Sequence, residues 1–158
     1  MHFPIIELTS HKKTKKEIKE SSLDYDDALL NYFCDYFGEE YNSAERKKTI
    51  GNPWMKALFE GVADVDVENE CVKFYSKEKI LDTLDKYYQE VVDKISNSKE
   101  PQRWLRFYNL RRLGFDFREN SFIFVVDGAS NTSMMFFEDC YYFADKVLYF
   151  GQIYDAHC

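Results

Sequence analysis

KEKILDTLDKYYQEVVDKI, residues 77–95 of a 158-residue chain, repeats its apolar letters at spacings of three, four and seven. Ile80, Leu81, Leu84, Tyr87, Tyr88, Val91, Val92 and Ile95 follow the helical period throughout, and Ser76 stands ahead of them with a hydroxyl suited to capping. A helix of about five turns with this much apolar surface must be covered by other elements. It is expected to be the main core helix of a single α+β domain spanning residues 1–158, a length that buries roughly two thirds of the surface the unfolded chain exposes.

Reading back from that helix, Val62, Val65 and Val67 alternate with Asp64 and Asp66, and the pattern resumes over residues 71–75 after a polar turn, which predicts a β-hairpin. Asn52-Pro53 reads as N-cap and first position of a short helix through Trp54, Leu58 and Phe59, closed by Gly61. A short basic helix with Arg46, Lys47 and Lys48 is expected between Ser43 and Gly51. Residues 24–37 form an amphipathic helix on the wheel, capped by Asp24 and ended at Gly38, with Leu29, Leu30, Phe33, Tyr36 and Phe37 on its apolar side. Residues 3–9 fit a short strand, and residues 11–20 complete a Lys-rich N-terminal segment, 1–20, expected to be helical or mobile.

Reading forward, residues 102–113 follow Pro101 and lean towards helix. Residues 115–118 and 122–126 resemble a second hairpin across Glu119-Asn120, and Asp127-Gly128 marks a further turn. Residues 134–154 have room for one more strand and a short helix around 140–148. The expected layout is helices in the first two thirds and antiparallel strands mainly in the last third.

Composition narrows the function. A net charge of -7 and a pI near 5.0 oppose general attraction to a nucleic-acid backbone, which takes a cationic footprint, and favour a cationic protein partner. Aromatic residues make up 18 % of the chain, more than its core requires, so some rings are expected at the surface as contact residues. Cys34, Cys71, Cys140 and Cys158 lack the paired spacing of metal or redox sites and are read as reduced. His2, His11 and His157 fall in segments expected to be poorly ordered, which argues against histidine chemistry. No Gly-rich phosphate loop, nucleophile elbow or zinc pattern is present. Asp64 and Asp66 are read as the polar face of a strand rather than a metal pair, and Glu70 with Lys73 has no diagnostic nuclease spacing. These readings predict a protein that is not an enzyme and needs no cofactor or metal. No signal sequence or spanning segment is read in the chain, so a cytoplasmic protein without a membrane partner is expected.

Two surfaces stand out as partner-binding candidates. From Glu20 to Glu45 the chain has eight acids and no Lys or Arg. Within it Asp24, Asp27 and Asp35 form a row along one helix face, extended by Glu39 and Glu40 and flanked by Tyr25 and Tyr32. Carboxylates on successive turns imitate part of the charge array of duplex DNA, to which a phosphate-binding protein is already adapted. The second surface is basic and aromatic: Arg103, Trp104, Arg106, Tyr108, Arg111 and Arg112, with Phe107 and no acid among them. This composition suits a nucleic-acid contact, pairing with neighbouring acids, or docking on an acidic protein; the overall charge favours the last two.

In composition the chain resembles the small, acidic, motif-poor inhibitors carried by phages and mobile elements, including anti-CRISPR and anti-restriction proteins. The resemblance assigns no residue. It implies a non-enzymatic inhibitor that binds a larger, basic nucleic-acid-processing enzyme, such as a Cas nuclease, and blocks it sterically or allosterically. The alternatives are an immunity protein that neutralises a toxin nuclease, and an enzyme of unrecognised type, which would need a deep pocket with converging polar groups.

Overall fold

Residue Ile6 lies on one of the two middle strands of the sheet. In the computed structural model, which describes residues 2–20, 36–37, 43–96, 122–127, 131–134 and 137–157, the strand containing it, β1 (His2–Thr9), is flanked on both sides. Its alternating Ile6 and Leu8 enter the main core, while Ile5, Glu7 and Thr9 point to the other face and are also buried. Burial on both faces is what a near-continuous apolar run such as PIIEL serves in a central strand.

The remaining strands are β2 (Tyr36–Phe37), β3 (Ala63–Asp66), β4 (Cys71–Phe74), β5 (Phe122–Asp127), β6 (Asn131–Met134) and β7 (Val147–His157). They form one mixed sheet in the order β3-β4-β7-β1-β5-β6, with β2 added to β7. Every pairing is antiparallel except β1 with β5, which run parallel from Ile5 opposite Phe122 to Thr9 opposite Val126. The helices are α1 (Lys15–Glu20), α2 (Ser43–Ile50), α3 (Pro53–Leu58) and α4 (Lys77–Ser96), with a 3-10 helix, η1 (Phe137–Phe143), ahead of β7.

The predicted hairpin forms as β3 and β4, with Val65 opposite Val72. The short helices also form where their caps place them: the Asn52 Oδ1 accepts from the Trp54 amide at 3.3 Å and Pro53 occupies the first turn of α3. The fold is α+β, but its layout differs from the expected one. Strands are spread along the chain, with β1, β3 and β4 all before α4, because the sheet is assembled from pairings distant in sequence rather than from consecutive hairpins. The short strand expected over residues 3–9 forms as β1, at the centre of the sheet, and the Lys-rich residues after it hold α1. His2 and His157, expected in poorly ordered segments, lie opposite one another in the β1–β7 ladder. Tyr36 and Phe37 are not the end of a helix: they pair as strand with Ala156 and His157, an extended geometry that aromatic residues favour. β5 pairs antiparallel with β6, from Phe124 opposite Met134 to Asp127 opposite Asn131, while residues 115–118 and the turn expected at Asp127-Gly128 lie outside the described residues. The helix expected around 140–148 is η1, and Leu148 is already in β7.

The main core lies between the sheet and α2, α3 and α4. Ile50, Met55, Leu58, Phe59, Ile80 and Leu84 meet Ile6, Val72, Phe74, Leu148 and Phe150 there. Phe59 sets its ring edge-on to Phe74 and to Phe150, with centroids 6.3 and 6.4 Å away. Gly61 turns the chain from α3 into β3 with φ of +79°, and a Cβ at that position would stand 2.6 Å from the Thr83 methyl. Only glycine meets both demands. The Thr83 hydroxyl lies 2.7 Å from the Gly61 carbonyl, which fastens α4 to the turn.

Candidate functional site

Three neighbouring apolar pairs on α4, Ile80-Leu81, Tyr87-Tyr88 and Val91-Val92, determine the exposed surface of the helix. Adjacent residues stand about 100° apart around a helix, so both members of a pair do not fit one buried stripe. Ile80, Leu84 and Val91 lie within about 40° of one another and are buried, Ile80 and Leu84 in the main core. Leu81, Tyr88 and Val92 make a second stripe, also about 40° wide, and remain 40 %, 44 % and 51 % exposed. α4 therefore serves as a core helix along one stripe and displays another.

This second stripe is about 16 Å long from Leu81 to Val92. At the start of α4 the Lys77 ammonium stands 4.7 Å from the centre of the Tyr141 ring. Tyr141 in turn packs edge-on against Tyr142, which is 67 % exposed. Aromatic surface thus adjoins the first turn of the helix. On the side of the stripe away from the core, exposed Glu78, Asp82, Asp85 and Asp93 follow one another. The Gln89 amide donates to Asp93 at 2.8 Å. Glu78 has its carboxyl held below the usual range by its own backbone amide and by the Ser76 hydroxyl, so it is firmly ionised at neutral pH. α4 thus displays an apolar strip with one acidic margin.

A second cluster of polar side chains lies inside the sheet. Glu7 is 1 % exposed and sits where β1 and β7 change register: Ile6 faces Ile153 and Leu8 faces Phe150, leaving Glu7 opposite both Gly151 and Gln152. This is a β-bulge, with two residues of one strand against one of the other. The Gln152 amide donates to Glu7 Oε2 at 2.7 Å and Lys13 Nζ donates to Oε1 at 2.5 Å. Gln152 also ties α1 to the sheet by donating its side-chain amide to the Ile18 carbonyl at 2.6 Å.

Buried Arg46 of α2 donates to the carbonyls of Phe150 and Gly151 at 2.5 and 2.6 Å, and its Nε reaches Glu70 at 3.0 Å. β4 pairs with β7 only from Val147 to Tyr149, so the guanidinium supplies donors just beyond the end of that ladder. Glu70 adopts φ of 53°, a left-handed conformation uncommon outside glycine and asparagine, while its carbonyl accepts from the Phe150 amide. These charges are matched to one another and to the backbone, and the arrangement braces the β7 bulge.

The hairpin acids have partners as well. Asp66 accepts from the Asn69 side chain and amide at 2.8 and 3.0 Å and from Lys73 at 2.6 Å, which together hold its carboxyl well below the ordinary range. Asp64 accepts from the Tyr75 hydroxyl at 2.6 Å. Glu70 and Lys73 do not converge: one pairs with Arg46 and the other with Asp66. Among the described residues no group of three or more His, Cys, Asp and Glu side chains is arranged to hold a metal ion, and no helix is long and apolar enough to cross a membrane. Cys71 and Cys140 are buried and form no disulfide, and burial pushes the Cys71 thiol up.

The acidic row of Asp24, Asp27 and Asp35, with Glu39, Glu40, Tyr25 and Tyr32, lies outside the described residues. So do Arg103, Trp104, Arg106, Tyr108, Arg111 and Arg112. The α4 stripe was not singled out in the sequence as a surface, although its three adjacent apolar pairs are the signal that reveals it. Compared with known proteins, the chain matches no family model, no curated protein and no solved structure.

Proposed function

We propose that this chain is a non-enzymatic, protein-binding inhibitor of a bacterial nucleic-acid-processing enzyme, acting in the cytoplasm, with a Cas nuclease as the first case to test. The observation that carries the reading is the exposed Leu81–Tyr88–Val92 stripe with its acidic margin, on a chain with a net charge of -7. Enzymes that handle nucleic acid have basic grooves, so complementary charge speeds encounter and an apolar centre holds the complex once formed. Bound there, the chain blocks substrate access or a domain movement the enzyme requires; binding free energy alone is sufficient for either.

The test begins with immobilised full-length protein and a bacterial lysate, with and without nuclease treatment. A nucleic-acid enzyme retained in both cases is then assayed with increasing amounts of the chain. Loss of its activity at stoichiometric protein supports the proposal; full activity at saturation overturns it. Charge reversal at Asp24, Asp27 and Asp35, set against reversal at Asp85 and Asp93, tells which acidic surface makes the contact.

A further inference from the structure

The stripe on α4 has a finer pattern than an apolar patch. Leu81, Asp85, Tyr88 and Val92 succeed one another at intervals of four, three and four residues, the alternation by which one helix presents a seam to another. Leu81, Tyr88 and Val92 supply the apolar positions and exposed Asp85 interrupts them. Resting on the inhibitor reading above, we infer that the partner element seated on α4 is an amphipathic α-helix with an apolar seam and basic flanks, carrying a Lys or Arg in register with Asp85.

Two features favour that occupant. The stripe is narrow and straight, about 40° wide and 16 Å long, which matches the ridge of one helix better than a broad sheet face. Its open margin carries Glu78, Asp82, Asp85 and Asp93, so the partner residues flanking an apolar seam there gain from positive charge. A second copy of this chain is the poorer fit: it would set Asp85 and its neighbours near the same acids across the seam, on two molecules that each carry -7. A polar residue at one seam position also fixes register, because only an oppositely charged partner compensates its removal from water.

The test uses the full chain and a fluorescent peptide of roughly 21 residues, three heptads with a Leu seam, Lys flanks and one Lys within the seam to meet Asp85. Binding is followed by fluorescence anisotropy at physiological salt. The Lys-flanked peptide is expected to bind, while the same peptide with Glu flanks does not. Leu81→Glu and Val92→Glu should each weaken binding about tenfold or more, since each removes apolar contact. Both add negative charge to the protein, so unchanged or tighter binding by these variants would mean simple charge attraction and would overturn the proposal. Circular dichroism confirms that the variants, altered only at exposed positions, retain the wild-type fold. Asp85→Lys should lose the Lys-seam peptide and accept one with Glu at that seam position; indifference to the exchange overturns the register claim.

Sedimentation equilibrium adds a separate outcome, since a wild-type dimer dispersed by Val92→Glu would assign the stripe to self-association instead. The two readings fail separately. If the peptide results hold but no nucleic-acid enzyme is captured, the surface stands and the inhibitor reading falls. If the Leu81 and Val92 variants inhibit a captured enzyme as well as wild type does, the stripe falls and the inhibitor reading stands.

Discussion

Glycine 151 is the residue whose chemistry depends most on another part of the chain. A Cβ built on it would lie 2.0 Å from Glu7 Oε2, so the bulge can hold the buried carboxylate only while that position has no side chain. Gly151→Ala is expected to lower stability by about 1–3 kcal/mol, the range of overpacking and strain at a buried site, read from urea unfolding. In a Glu7→Ala background the same substitution should cost less than about 1 kcal/mol, because the clashing atoms are gone. Equal costs in both backgrounds would show that the Glu7 contact is not what excludes a side chain. None of this was legible in the sequence, where Glu7 is one polar letter in a strand and Gly151 one glycine between Phe150 and Gln152. The amide that satisfies Glu7 belongs to Gln152, 145 positions away, and local patterns carry no information across such a separation. Arg46 shows the same difficulty, since its basic helix is legible in the sequence but its burial depends on carbonyls more than a hundred residues distant.

At the scale of elements, those whose stabilising contacts are local were legible, and α3, α4 and the β3–β4 hairpin form where their caps, periods and turn residues place them. The extent of burial was less legible: eight apolar letters on α4 identify a helix, but only the geometry of its adjacent pairs says that one stripe must face outward. The hairpin supports a prediction about pH. The Asn69 side chain, Lys73 and the Asn69 amide hold the Asp66 carboxyl below its unfolded value of about 3.9. A carboxylate depressed in this way contributes stability that is present above the unfolded value and is lost as pH falls from there towards the folded one. Asp66→Asn should therefore differ most from wild type above about pH 4, and the two thermal-melting curves should converge as the solution is acidified further. Glu17 and Glu78 are depressed by their own turn contacts and remain in the variant, so its acid limb is shallower rather than flat. Curves that stay parallel between about pH 2 and 7 would remove Asp66 from the acid response.

For the whole molecule, the arrangement of the sheet gives the two ends of the described chain the most central place in it. β1 lies between β7 and β5, and β7 between β1 and β4, whereas β3 and β6 are the outer strands. An α+β composition was readable, but strand order was not, because β1, β5 and β7 find one another across most of the sequence and their alternation patterns serve several possible neighbours. A strand paired on both sides and buried on both faces opens only when the sheet itself comes apart, while an outer strand can detach and leave the rest of the sheet intact. Native-state hydrogen exchange followed by mass spectrometry should therefore find peptides covering Ile5 to Thr9 and Leu148 to Ile153 the slowest, exchanging at the rate of global unfolding. Peptides from β6 and β3 should exchange earlier. Denaturant sharpens the comparison, since the protection of central strands falls with the full unfolding slope and that of outer strands with a smaller one. If β1 exchanged with the outer strands, its pairing with β7 would be a late and separable attachment. The bulge that Glu7, Gly151 and Arg46 brace would then not be part of the structure that keeps α4 in place.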